Sequence, residues 1–472
     1  MFKRKIPFQN QLRTFSSVKQ STTKRIFLGL GSLVCISALG YLTFNQPEEK
    51  IQSKLRSLPP VSMILPMNQV NELIKKNESF LNPNIKSIPR LDFNSLPSNN
   101  PMEDYHSEHI FNDGILLGIY DGHGGAECGK LVMDYMATYV SHHISKPIPN
   151  GVKKADHIKK AMKDAFIELD KDKINGSITT KASWFNLFER TQTDYQNILK
   201  SLRAAASGSC AMVAYVDDTD IYVASAGDCR AVLGRNRNYS KDGMQLYEAI
   251  DLSNDHTTMN PEEYRRILNE HPGEEETVVW RNRVLGGLQP TRSIGDARYK
   301  WPLNIQEIIL PHLYPNGLRY IPKNYHTPPY VTAEPEVIHY QRDSADSFLI
   351  LACDGLWDEL SSSKSVDIVG KLLEDKYKGN YATTLMNAAL SGADSGGKLE
   401  DPTRIQHHLS ISAPYSRRYR DDMTINVVHL GKTIEAEGKF IENVRPYQQA
   451  GGGQLNSWVQ VLKGKTPIRS KL

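Results

Sequence analysis

The chain has 472 residues, 39% of them hydrophobic and 23% charged, with a net charge of +4. That length and apolar content support one large packed domain with extensions and exclude a generally disordered chain, and the near-balanced charge argues against a basic nucleic-acid-binding stripe. The five cysteines, at 35, 128, 210, 229 and 353, are scattered without CxxC or zinc-finger spacing, so they read as reduced structural cysteines.

In chain order, residues 1–25 come first, with Lys3, Arg4, Lys5, Arg13, Lys19, Lys24 and Arg25 and no acidic residue before Glu48. A basic, Ser/Thr-rich lead of this kind reads as a mitochondrial presequence; the plainer reading is a basic tail beside an anchor. Residues 26–44, IFLGLGSLVCISALGYLTF, carry no charge. As a helix they would span roughly 28 Å, close to a bilayer core, so the expectation is one transmembrane helix rather than a cleaved secretory signal. Basic flanks stay on the side of origin, which would put the bulk of the chain in the intermembrane space of the inner membrane, with a matrix-facing domain as the alternative. Residues 45–99, rich in Pro, Asn and Ser, read as a linker with short helical pieces such as 67–80.

From 100 to 432, apolar strands, glycine turns and amphipathic helices alternate. GILLGIY (114–120), 209–216, 221–227, 347–353 and 424–430 read as strands. Helical stripes run over 126–144, 156–170 and 364–374. The stretches 172–200, 235–250, 300–330 and 376–418 look polar or irregular and read as surface insertions that carry substrate or partner contacts. Residues 433–472 form a tail ending in Ser470-Lys471-Leu472, which matches a peroxisomal address and would engage a peroxisomal import receptor.

The chemistry gathers where strands end. Asp121 follows GILLGIY and opens DGHGG; Asp354 follows SFLILAC and opens DGLWD; Asp421-Asp422 precede TINVVHL; Glu103-Asp104 precede the first strand. Carboxylates beside a core are costly unless something neutralises them, so their recurrence points to a shared cation. Oxygen donors without a His/Cys cluster favour Mg²⁺ or Mn²⁺ over Zn²⁺. Gly122 leaves its carbonyl open to a metal, Gly124-Gly125 allow a sharp turn, and His123 could donate a proton to a leaving group. Taken singly, DG is a turn signal and DGHGG could be an anion-binding helix start.

Taken together, MED (102–104), YDGHGG (120–125), SGSCA (207–211), SAGDCRAVL (225–233), RSIGD (292–296), LACDGLWD (351–358) and RDDMTINVV (420–428) resemble the metal-dependent type-2C serine/threonine protein phosphatases. NPMEDY (100–105), NDHTTMNPEE (254–263), RVLGGLQPTRSIGDARYKW (283–301) and YRDDMT (419–424) are similar to the mitochondrial pyruvate dehydrogenase phosphatase branch. The resemblance implies an α+β fold: a central antiparallel β-sandwich with helices on both faces and a metal cleft at one end.

It further implies two Mg²⁺ or Mn²⁺ ions bridged by Asp121. The Gly122 carbonyl and Glu103 would hold one, and Asp354 and Asp421 the other. Asp104 is adjacent, Asp228 and Asp358 match a weaker third site, and Asp296 reads as structural. A metal-activated water would attack phosphorus while His123 protonates the departing Ser or Thr oxygen. The implied partner is a phosphoprotein, with the pyruvate dehydrogenase E1 alpha subunit as the branch's substrate. No CxxxxxR loop follows Cys353, against a cysteine-dependent phosphatase. Many relatives carry an Arg four residues before the Glu of MED; here that position is Asn99, leaving Arg90, Arg292 or Arg420 to hold the substrate phosphate. A scaffold that has lost catalysis and a hydrolase of small phosphoesters are the competing readings.

Overall fold

The computed structural model describes residues 63–112, 114–174, 192–237, 246–395, 401–413 and 415–431. The presequence-like segment, residues 26–44, Cys35 and the tail from 432 onward lie outside them. Among the described residues no helix is long and apolar enough to cross a membrane. That finding gives no support to the expected membrane anchor, which falls on residues 26–44, outside the described residues.

The chain enters through α1 (Met67–Lys75), β1 (Ser79–Leu81), β2 (Arg90–Leu96), β3 (Asp104–Phe111) and β4 (Gly114–His123). Helices α2 (Glu127–Ile144), α3 (Lys154–Leu169) and α4 (Gln192–Ala206) lead to β5 (Gly208–Val216), β6 (Asp220–Ala226), β7 (Arg230–Asn236) and β8 (Tyr247–Asp251). A more irregular region follows, with α5 (Pro261–Glu270), the short strands β9 (Val279–Trp280), β10 (Arg283–Val284) and β11 (Ile294–Gly295), and α6 (Leu303–Leu313). The chain then returns through β12 (Glu336–Gln341), β13 (Asp346–Ala352), α7 (Ser362–Glu374), α8 (Tyr381–Ser391), α9 (Pro402–Ser410) and β14 (Met423–His429).

One sheet has the order β1-β2-β14-β13-β7-β8, and the other β12-β6-β5-β4-β3 with β11 beside β5. The ladders are antiparallel throughout. The two-residue period of a strand explains the layering. On β4 and β5, Ile115, Leu117, Ile119, Met212 and Ala214 join a core with Leu349, Leu351 and Val428 of the opposite sheet. Their alternates Leu116, Tyr120, Val213 and Tyr215 instead meet Val132, Met136, Phe166 and Ile309 on the helices outside. On β13 and β14, Phe348, Ile350, Ile425 and Val427 face the helices on the other side, α1 and α7–α9. The result is the expected helix–sheet–sheet–helix sandwich, in which both strand faces are buried.

Helix starts follow local chemistry. Ser361 accepts from the Lys364 N–H, and Asn260 accepts from Glu262 with Pro261 in the first turn. Asp401 caps α9 in the same way, with Pro402 after it.

Two expectations need correction. The stretch 45–99 is not a linker throughout, because β2 is buried along its length between β1 and β14. Nor is 376–418 an irregular insertion. Helix α8 is almost wholly buried, and α8 and α9 complete the core over the first sheet. The signal was hidden because α8, YATTLMNAALS, buries small side chains and two threonines, Thr383 and Thr384, whose hydroxyls find partners. Asn380 caps the helix and also donates to the Phe93 and Ser79 carbonyls. Thr383 joins Asn94 and Glu78. The four described cysteines are free and buried, as expected.

Candidate metal centre

Strand register brings the acidic residues together. Asp121 sits at the end of β4 opposite Asp104 on β3 and Cys210 on β5. Asp354 begins the helical turn that follows β13, next to Cys353. Asp228 lies in the turn between β6 and β7. Potential ligand atoms of Asp121, Asp228 and Asp354 all lie within 4.8 Å of one another, as do those of Asp104, Asp121 and Cys353. Asp121 belongs to both groups.

Electrostatics makes this arrangement expensive as it stands. Burial, then the Asp354 and Asp104 carboxylates, push the Asp121 carboxyl well above its ordinary value. Burial, then Asp228 and Asp358, do the same to Asp354. Burial and Asp422 raise Asp104 to about 7, and burial raises Asp228. Among the described residues no Lys or Arg forms an ion pair with Asp104, Asp121, Asp228 or Asp354. Buried carboxylates without a protein counter-charge are the donor set a hard divalent cation would complete. The Cys353 sulfur suits this role less. It accepts from the Thr424 N–H, and burial pushes its thiol well above the ordinary value.

The remaining residues surround this core. Glu103 accepts from the Gly125 N–H at 2.7 Å and from the Asn99 amide at 3.0 Å. Gly122 donates to the Glu103 carbonyl, and a Cβ at 122 would meet that oxygen at 2.4 Å, so glycine is required for the approach. Asp421 stands outside both ligand groups, with its carboxylate on Arg417. Asp358 is exposed. Arg90 is buried on Asp92 and the Gly379 carbonyl. Arg292 holds Glu263 and the Glu334 carbonyl, and Arg420 donates to the Pro97 carbonyl at 2.7 Å.

His123 Nε2 meets Asp296 Oδ2 at 2.7 Å, and Ser293 donates to the same carboxyl oxygen. A Cβ at Gly208 would stand 2.2 Å from both His123 Nε2 and Asp296 Oδ2. Glycine there is what lets the pair close. Burial alone would lower the His123 pKa, but Asp296 outweighs it and raises the value. Sequence reasoning had placed Asp296 as structural; its available signal was the GD of RSIGD. It also missed Asp422, which is buried and accepts the backbone N–H groups of Ser98, Asn99 and Glu103, tying the loop before β3 to the start of β14. The doubled Asp of RDDMT held that signal without saying which carboxylate faces inward.

A double sandwich that gathers unpaired carboxylates at its strand ends is the framework of a hydrolase working through oxygen-bound divalent metals. Comparison with known proteins narrows the class. Protein phosphatase 2C matches residues 102–395. The rat mitochondrial [pyruvate dehydrogenase [acetyl-transferring]]-phosphatase 1 is 32% identical, covering 84% of this chain and 89% of its own. A protein phosphatase 2C homolog of Schizosaccharomyces pombe is 34% identical, covering 76% and 84%. The Saccharomyces cerevisiae mitochondrial [pyruvate dehydrogenase [acetyl-transferring]]-phosphatase 1 is 31% identical, covering 73% and 69%. This chain belongs to the protein phosphatase 2C family and is a metal-dependent protein serine/threonine phosphatase. The mitochondrial relatives support a mitochondrial location.

Proposed function

We propose that this phosphatase removes phosphate from phosphoserine on the pyruvate dehydrogenase E1 alpha subunit, using two divalent cations, Mg²⁺ or Mn²⁺, at the Asp121 cluster. The observation that carries the substrate reading is the likeness, over 84% of the chain, to a relative named for pyruvate dehydrogenase. Two groups of potential ligands that share Asp121 support more than one cation there. Asp354 would hold one cation together with Asp421. Glu103 and the Gly122 carbonyl would hold the other, with Asp104 beside them. Asp228 and Asp358 are the candidates for a weaker third.

Bound there, such cations make a water acidic and offset the charge on phosphoryl oxygens. The protein's own groups do the rest. His123 lies two residues from Asp121 and supplies the proton that the departing serine oxygen needs. Asp296 fixes the ring so that one imidazole nitrogen is committed to the carboxylate and the other is left for the substrate. Asp422 keeps the Glu103 loop in place through three backbone N–H groups.

The test is phosphate release by the full chain from a phosphoserine peptide and from phosphorylated pyruvate dehydrogenase, with Mg²⁺, with Mn²⁺ and with EDTA. Metal-dependent turnover of both, faster on the protein, supports the reading. Turnover of the peptide with none on pyruvate dehydrogenase removes that substrate.

A further inference from the structure

We propose that Arg417 is the side chain that grips the phosphoryl group of the substrate, replacing from a different segment the cation that is missing at Asn99. The inference rests on the phosphatase reading above. A phosphoryl group in transfer spreads charge over three oxygens, and a guanidinium matches two of them at once.

The three arginines that sequence reasoning offered are committed elsewhere. Arg90 is buried against Asp92, the half-buried Arg292 is paired with Glu263, and the Arg420 guanidinium is drawn back onto the Pro97 carbonyl. Arg417 is paired too, with Asp421, but it is exposed where those three are not. It lies in the helical turn Tyr415–Arg418 just before the ligand candidate Asp421, and its side chain is 42% exposed. Its guanidinium has five N–H donors, and its recorded contact among the described residues is a single nitrogen on Asp421 Oδ1.

The segment that carries Arg417 is firmly placed. Buried Ser416 donates to the Ser98 carbonyl at 2.6 Å, and Arg420 donates to Pro97. Positions 99 and 417 therefore sit on two strips of chain pinned side by side. The Asn99 amide faces Glu103 and Asp422 and carries no charge to offer a phosphate. A cation lost from one strip can be supplied by the other without moving the carboxylates.

The experiment uses the full chain loaded with Mn²⁺. It measures kcat and KM on a phosphoserine peptide, inhibition by inorganic phosphate, and the thermal shift that inorganic phosphate produces. Arg417→Ala is expected to raise KM and the phosphate inhibition constant about 10- to 100-fold, the range of a charged hydrogen-bonded contact, and to abolish the phosphate-induced shift. Arg417→Lys should fall between, since a point charge lacks the two-oxygen fork. Arg418→Ala, one residue along and packed over Tyr415, should match wild type. Asn99→Arg placed in the Arg417→Ala protein should restore phosphate affinity. Wild-type KM, inhibition and thermal shift in Arg417→Ala would overturn the proposal. So would a change confined to the Mn²⁺ concentration required, which would make Arg417 a screen for Asp421 alone. If wild type turned over no phosphopeptide, the phosphatase reading would fail, and the phosphate-induced shift would still decide for or against Arg417.

Discussion

Two buried carboxylate clusters in this molecule behave in opposite ways. Glu263 on α5 is 3% exposed and receives Arg292, Arg266 and the Thr291 hydroxyl. Burial alone would raise its pKa, but hydrogen bonds from Arg292, Arg266 and Thr291 outweigh that and hold the carboxyl well below the usual range. Asp121 and Asp354 meet other carboxylates at the sandwich end and, among the described residues, form no ion pair with a Lys or Arg, and their values go up. The difference teaches how to tell a structural acid from a functional one. A structural carboxylate arrives with its own counter-charge; the strand-end cluster leaves that place open to something from solution.

The sharpest way to break the comparison is to remove a carboxylate from each cluster. Asp121→Asn or Asp354→Asn should lower phosphatase turnover by more than the roughly 10–100-fold that loss of an outer-shell partner costs. The same changes should leave the melting temperature of the metal-free protein level or higher, because they relieve repulsion. The rise in melting temperature on adding Mn²⁺ should shrink. A large drop in metal-free stability would mean that these carboxylates are structural after all.

Glu263→Ala should do the reverse. It strands Arg266 and Arg292 and should cost about 3–5 kcal/mol of stability, measured by urea unfolding, while Mn²⁺ still binds. Next in size is Asp296→Asn, which leaves His123 without its anchor. A loss of roughly 10²-fold on a phosphoserine peptide is expected, within the range a general acid contributes. The loss on an aryl phosphate, whose leaving group needs little protonation, should be much smaller. Equal losses on both would make Asp296 a support for the fold only.

The smallest effect concerns pH. The folded Glu263 carboxyl titrates below the unfolded value of about 4.3, so its contribution is fully present above that pH and is lost as pH falls beneath it. The stability difference between wild type and Glu263→Gln should be constant near neutrality and narrow below about pH 4.3. A difference that widens on acidification would contradict the ion-pair account.

Much of the site could be read without coordinates. Asp121, Asp228 and Asp354 converge because an acidic residue at the end of an apolar strand has few places to go. Asp421 was less legible: two adjacent acids share one motif, and only packing decides that Asp422 turns inward to three backbone N–H groups while Asp421 meets Arg417. The partner of His123 lies 173 residues away, a pairing that no local pattern encodes. The same holds for β2, whose alternating Arg90, Asp92 and Asn94 look like loop until β14 supplies His429, and α8 with the turn before it supplies Thr383 and the Gly379 carbonyl.

By itself, then, the sequence determined the period-2 strands, the capped helices, the family motifs and the acidic strand ends. Each of these is written in neighbouring residues and follows from local sterics and burial. Tertiary structure alone decided which polar groups are neutralised inside the protein and which are left for metal and substrate. Charge compensation depends on distance in space, and Arg292 for Glu263 and Asp296 for His123 come from other parts of the chain.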